Sequence, residues 1–203
     1  AGAERDAFLA TRGGEFEALV TSAAGGASNA LVDALPGIRV ISSFGVGLDK
    51  LDPQHAARRG IPVGYTPDVL NDCVADEAFG LLLAIARRLG QAERYVRAGQ
   101  WTATPPVPFP LGRRVSGAKL GIVGLGRIGQ TIARRASGFD MEVRYHSRRP
   151  VEGVAWGYEA SLHELARCCD FLVVITAGGA GTRHLIDASV LDAACVFVND
   201  TVS

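Results

Sequence analysis

The residues with the clearest chemistry are three glycines in Gly124-Leu125-Gly126-Arg127-Ile128-Gly129, a G-x-G-x-x-G spacing that suits a phosphate-binding turn. Gly124 would permit a tight turn, Gly126 would let the backbone approach a pyrophosphate, and Gly129 would let a helix pack closely on a strand. The phosphates would rest on free N–H groups at the positive end of that helix. Among 25 glycines the motif alone is weak, so its context decides. The apolar run from Lys119 leads into it, a helix-compatible stretch from Ile128 to Ala136 comes next, and a second strand, Met141 to His146, arrives at the βαβ distance.

The residues just after that second strand select the dinucleotide. An NAD-binding unit places a carboxylate about 20 residues on, where it accepts hydrogen bonds from the ribose hydroxyls. This chain instead has Ser147-Arg148-Arg149-Pro150. Two guanidinium groups offer charge and planar donor forks suited to phosphate oxygens, so NADP(H) is expected in preference to NAD(H). The plainer alternative is a solvated basic turn.

A second anion-binding candidate lies in Ser43-Phe44-Gly45-Val46-Gly47-Leu48-Asp49, after the strand-like Ile38 to Ser42. Backbone N–H groups of Val46 and Gly47 would form a small nest for a carboxylate. On these residues alone a structural loop with glycines at positive φ is the preferred reading.

Around these sites the chain reads as alternating strands and helices, which implies parallel α/β layers. The first half gives strand Ala18 to Thr21, helix Ala27 to Leu35, strand Ile38 to Ser42, helix Pro53 to Arg59 and strand Ile61 to Tyr65. Asp72 to Arg97 reads as a helix able to bridge two domains, with Gly90 as its break. Pro105, Pro106, Pro108 and Pro110 make Gln100 to Gly117 an extended arm. Beyond the glycine turn and its second strand come helix Leu162 to Arg167, strand Asp170 to Thr176, helix Asp187 to Ala193 and strand Cys195 to Asn199. The expected organisation is a flavodoxin-like domain over 1–98, an arm over 99–117 and a Rossmann domain over 118–203, with a cleft between the two parallel-sheet domains.

Composition is consistent with a small-molecule protein. Acidic and basic residues balance at 21 each, so no global field recruits nucleic acid or a membrane. The longest strongly apolar run, Ala78 to Ala86, is too short to span a bilayer, and no basic-then-apolar leader opens the chain, which suggests a cytoplasmic protein. Cys73, Cys168, Cys169 and Cys195 lack metal-ligand spacing and are expected to be buried, reduced thiols; no metal site is expected.

Four blocks, Ser42 to Lys50, Thr66 to Asp76, Gly121 to Gly129 and Thr182 to Asp187, fall in the order and spacing of D-isomer-specific 2-hydroxyacid dehydrogenases. The chain most resembles the NADPH-dependent hydroxypyruvate/glyoxylate reductases of that family, over nearly its whole length. The resemblance reverses the reading of the 43–49 loop: it implies that the amides of Val46 and Gly47 hold the substrate carboxylate. It further implies that Leu125, Gly126, Arg127 and Ile128 hold the pyrophosphate, that Ser147, Arg148 and Arg149 clamp the 2′-phosphate, and that Thr176, Ala177 and Thr182 line the cofactor. Relatives that oxidise phosphoglycerate usually carry arginine where this chain has Ser43, which argues against a phosphorylated substrate.

The implied reaction is hydride transfer from NADPH to a small 2-oxo acid, glyoxylate or hydroxypyruvate. It needs an arginine to polarise the carbonyl and a carboxylate-held histidine to protonate the alkoxide. The family's arginine position, three residues after Asn199, is Val202 here, and its glutamate and histidine lie further downstream. His55, His146, His163 and His184 are expected to be structural or surface residues, so no catalytic residue is expected in the chain. A partial record of a longer enzyme is the expectation, with about 25 residues of strand and helix before Ala18 also lacking. The alternatives are a truncated product, a non-catalytic dinucleotide sensor of the same fold, or an NAD-dependent dehydrogenase of another substrate. Dimerisation through the bridging helix and the Gln100 to Pro110 arm is implied as well, giving a homodimer.

Overall fold

The computed structural model describes residues 2–105, 107–193 and 197–199, which form two compact units. Of the described residues, the first unit comprises 2–70 with Ala177–Arg183, and the second those of 71–176 with 184–193 and 197–199.

In the first unit, helix α1 (Gly2–Arg12) precedes β1 (Ala18–Ser22), α2 (Asn29–Asp33), β2 (Val40–Phe44), α3 (Pro53–Arg58) and β3 (Val63–Gly64). The strands lie parallel in the order β1-β2-β3, with Ala18 opposite Val40 and Ile41 opposite Val63. Successive side chains of a strand alternate between faces. Ile41 is therefore buried against Val32, Leu35, Ala56 and Ile61, while Val20 and Phe44 remain 79% and 77% exposed. Both helices that cover the core start at a cap. Ser28 Oγ accepts from the Leu31 N–H at 3.2 Å, and Asp52 Oδ1 accepts from the N–H groups of Gln54 and His55, each at 3.0 Å. Proline follows Asp52 at the first helical position, where its missing N–H costs nothing. The His55 N–H, then the Asn29 amide, hold the Asp52 carboxyl below the usual aspartate value.

The second unit contains α4 (Asn71–Ala86), α5 (Leu89–Arg97), β4 (Lys119–Val123), α6 (Arg127–Ala136), β5 (Glu142–His146), β6 (Gly157–Tyr158), α7 (Leu162–Cys168), β7 (Phe171–Val174), α8 (Ala188–Ala193) and β8 (Phe197–Asn199). Its parallel sheet runs β6-β5-β4-β7-β8, so the order reverses between β4 and β7. Both faces are covered, as parallel sheets require. Leu120, Ile122, Tyr145, Phe171 and Val173 pack against α4 and α6, while Val123 and Leu172 pack against α7 and α8. Helix α4 buries Ala75, Ala78, Phe79, Leu82 and Ala86, one stripe at helical spacing. Arg135 of α6 reaches back to it, donating to Asp76 Oδ1 at 2.8 Å and Asp72 Oδ1 at 3.1 Å.

Several elements differ from the sequence expectation. Gly90 lies inside α5, and the helix breaks at Arg87 and Arg88, where Arg88 adopts φ 56°. The reason is distant in sequence: the Arg113 N–H caps the Ala86 carbonyl at 2.6 Å, ending α4 there. The α4 helix groups with the second unit through its packing on α6, whereas the sequence places it with the first. Helix α1 buries no residue and so shows no core stripe by which a sequence could reveal it. Strand β6 is two residues long, below what a periodicity reading detects. Cys169 is buried and Cys168 half-buried, but Cys73 is exposed, because the α4 stripe leaves its position on the outer face. Cys195 and the stretch from Asp200 to Ser203 lie outside the described residues. Among the described residues no helix is long and apolar enough to cross a membrane.

Candidate functional site

The glycine turn sits where the strand order of the second sheet reverses, which is where open α/β sheets leave a crevice at their strands' carboxyl ends. Gly124, at φ 99°, ends β4, and its N–H donates to the His146 carbonyl at 2.8 Å. A Cβ there would lie 2.5 Å from the Ile175 carbonyl oxygen and 3.1 Å from Thr176 Cγ2. At Gly129 a Cβ would lie 2.2 Å from the Gly124 oxygen, so α6 is pressed directly onto the turn. Gly126 is different. It caps α6 at φ −75° with no side-chain acceptor, it is exposed, and a Cβ would meet nothing within 4 Å. The N–H groups of Leu125 and Gly126 find no acceptor among the described residues. The turn thus combines open space with unpaired donors at a helix N-terminus, the arrangement that accepts a phosphate. Arg127 is exposed and Ile128 half-buried, the latter packing on the α4–α6 core.

One strand away, Ser147, Arg148 and Arg149 form the turn after β5. The two guanidinium groups are exposed and have no ion-pair or hydrogen-bond partner among the described residues. The Ser147 hydroxyl donates to the Arg149 carbonyl at 2.6 Å, shaping the turn. Sequence reasoning missed two further residues here. Tyr145 Oη accepts from the Val151 N–H at 2.8 Å, and Tyr158 Oη donates to the Ser147 carbonyl at 3.3 Å. The only sequence hint is an aromatic near the strand end, and β6, which supplies Tyr158, is too short to carry a signal of its own.

In the first unit the loop after β2 carries the other candidate. Gly45 adopts φ 123° with Ala23 Cβ beneath it, 2.8 Å from where a Cβ would stand. Its N–H donates to Thr66 Oγ1 at 2.9 Å, and its carbonyl accepts from the Thr66 N–H at 3.0 Å. This reciprocal pair fixes the loop's start and leaves the half-buried Val46 and Gly47 with N–H groups that meet no acceptor among the described residues. The segment 177–183 belongs to the same unit, and Gly178 lies so close to Asp49 that a Cβ would stand 3.2 Å from its carboxyl carbon. Thr182 Oγ1 donates to the Ala177 carbonyl at 2.9 Å, closing that segment on itself. Thr176 instead belongs to the second unit, beside Gly124.

The four histidines lie in different settings. His55 does meet a carboxylate, with Nε2 2.8 Å from Asp33 Oδ1, but its Nδ1 faces Arg58 Nη2 at 3.5 Å, so neither nitrogen is left to hand a proton to a ligand. His146 Nδ1 contacts the Glu159 carbonyl at 3.0 Å, and His163 Nε2 contacts Ser189 Oγ at 2.8 Å. His184 is exposed, at φ 55°. Val202 lies outside the described residues.

With this geometry in place, comparison with known proteins identifies the lineage. Residues 79–199 match the family model of the D-isomer specific 2-hydroxyacid dehydrogenase, NAD binding domain. This chain belongs to the D-isomer specific 2-hydroxyacid dehydrogenase family. A glyoxylate/hydroxypyruvate reductase A of Arabidopsis thaliana is 43% identical over 190 residues, covering 94% of this chain and 60% of that protein. Among solved structures, a 2-hydroxyacid dehydrogenase from Ketogulonicigenium vulgare Y25 superposes with a TM-score of 0.85 at 40% identity, covering 96% of this chain and 62% of that one. An NADPH-dependent glyoxylate/hydroxypyruvate reductase from Sinorhizobium meliloti, in complex with NADP and malonate, gives 0.83 at 40% identity, covering 96% and 61%. The chain therefore spans about three fifths of the length of these dehydrogenase relatives. Its parallel α/β architecture is that of the family.

Proposed function

We propose that the protein carrying this chain is an NADPH-dependent reductase of a small 2-oxo acid, glyoxylate or hydroxypyruvate. One observation carries the reading: a glycine turn with open space at Gly126 is followed, one strand later, by two exposed arginines that have no ion-pair or hydrogen-bond partner among the described residues, and no carboxylate stands at the strand's end. A dinucleotide fits these residues, since Gly126 leaves room for a pyrophosphate and a carboxylate that would repel a 2′-phosphate is lacking there. Leu125, Gly126, Arg127 and Ile128 would hold the pyrophosphate, Arg148 and Arg149 the 2′-phosphate, and Thr176, Ala177 and Thr182 would line the cofactor. Bound NADPH supplies the hydride, and the protein supplies orientation and charge. The N–H groups of Val46 and Gly47 would hold the substrate carboxylate, with Thr66 fixing Gly45 beside them. Relatives bearing glyoxylate and hydroxypyruvate reductase names support the substrate class, and the solved Sinorhizobium meliloti relative supports the phosphorylated dinucleotide.

The full-length protein is expected to oxidise NADPH when given glyoxylate or hydroxypyruvate, followed by the loss of NADPH absorbance. Absence of turnover on both would reject the reductase reading. Arg148→Ala combined with Arg149→Ala is expected to weaken NADPH binding by about 1–3 kcal/mol, the worth of charge-assisted hydrogen bonds, and to spare NADH. An equal loss for NADH would refute the 2′-phosphate clamp. A homodimer is part of the proposal, resting on apolar side chains exposed along α5 and the arm: Leu89, Val96, Trp101 and Leu111.

A further inference from the structure

We infer that Tyr145 and Tyr158 are positioning residues for cofactor choice: their two hydroxyls hold the 147–151 turn in the shape that presents Arg148 and Arg149. The inference rests on the proposed 2′-phosphate site and adds the device that prepares it.

Three hydrogen bonds pin the turn at its start, middle and end. Tyr158 Oη donates to the Ser147 carbonyl at 3.3 Å, Ser147 Oγ donates to the Arg149 carbonyl at 2.6 Å, and the Val151 N–H donates to Tyr145 Oη at 2.8 Å. The two rings pack on each other. Tyr145 is 1% exposed and its ring centroid lies 5.5 Å from that of Tyr158, at 55°. The strands beneath them are joined as well, because the Glu159 N–H donates to the Tyr145 carbonyl at 2.8 Å. A phenol buried this deeply needs a polar partner, and the partner used here is the turn's own backbone. None of these bonds engages the two guanidinium groups.

The physical consequence is preorganisation. Two adjacent arginines on a loose loop repel each other and would lose backbone freedom on meeting a dianion, so affinity for the 2′-phosphate would be spent on ordering the loop. A turn ordered in advance by the buried Tyr145 phenol and the half-buried Tyr158 avoids that loss. NADH makes no demand on the arginines, so its affinity should not depend on the turn's order.

Equilibrium dissociation constants of NADPH and NADH, measured on the full-length protein, test this. Tyr158→Phe and Tyr145→Phe, which keep the rings and remove only the hydroxyls, are each expected to weaken NADPH about three- to tenfold while NADH changes by less than about twofold. Retained NADH affinity reports an intact fold. Placed on the Arg148→Ala, Arg149→Ala background, the same substitutions are expected to change neither constant, since the groups they position are gone. Parallel losses for both cofactors, or unchanged NADPH affinity in both tyrosine variants of a parent that does discriminate, would overturn the positioning role alone. A parent protein that fails to distinguish NADPH from NADH would overturn the phosphate site and this inference together.

Discussion

Gly124, Gly126 and Gly129 meet different surroundings in the structure. Gly129 is required by packing. Gly129→Ala puts a methyl group 2.2 Å from the Gly124 oxygen and should destabilise the fold by about 1–3 kcal/mol, read from the denaturant midpoint. Gly126 has φ −75° and open space around it, so Gly126→Ala should change stability by no more than about 0.5 kcal/mol. Its effect should appear in dinucleotide affinity, because the methyl group occupies the room a pyrophosphate would need. A large stability loss at Gly126, or undiminished dinucleotide binding there, would contradict this division. The motif's spacing was legible because turn, approach and packing all select the same residue type. The motif's order already assigns turn, approach and packing to the three glycines; the structure adds the atoms they meet, Ile175 and Thr176 beyond β7 for Gly124 and the Gly124 carbonyl for Gly129. Ser147 carries a residue type that suits a phosphate ligand, and the structure adds that its hydroxyl donates to the Arg149 carbonyl.

Elements are held by burial more than by their charges. Leu82 of α4 is 1% exposed within the α4–α6 core, and Leu82→Ala should cost about 2–5 kcal/mol. Arg135→Ala removes the contacts to Asp72 and Asp76, whose carboxylates are 84% and 70% exposed, and should cost less than about 1 kcal/mol. Thermal unfolding of the two variants checks the order, and a larger loss for Arg135→Ala would reverse it. Helix caps add a pH dependence. Asp52 is held below its usual value first by the His55 N–H, and Asp187 first by the Ser189 hydroxyl and then by the Val190 N–H. A pKa lowered in the folded state means that the ionised form is favoured by folding. That stability is fully present above the ordinary aspartate value and is lost as pH falls through the lowered folded value. Asp52→Asn together with Asp187→Asn should therefore flatten the acid side of the stability profile and leave its slope near neutral pH unchanged. The break between α4 and α5 falls earlier than the sequence places it. Gly90 was the local signal for that break, and the Arg113 N–H, from across the arm, is what ends α4.

At the scale of the molecule, the proposed homodimer rests on exposed apolar surface. Leu111 is 94% exposed and Trp101 71%, beside Val96 and Leu89 of α5. Sedimentation of the full-length protein is expected to show a dimer that Leu111→Asp with Trp101→Asp shifts toward monomer; a parent that sediments as a monomer would reject the proposal. The sequence by itself determined the parallel α/β class, the dinucleotide turn and the basic turn one strand later. Each of these is a local pattern, set by side-chain period, residue charge and glycine conformational freedom within one βαβ unit. Tertiary structure decided what depends on residues far apart in the chain. It places the 177–183 segment in the first unit beside Asp49, and it gives α4 to the second unit. It also brings Tyr158, from a strand too short to predict, onto the turn that carries Arg148 and Arg149. Such contacts form only when burial of the core brings distant segments together, and no local pattern of residue types records them.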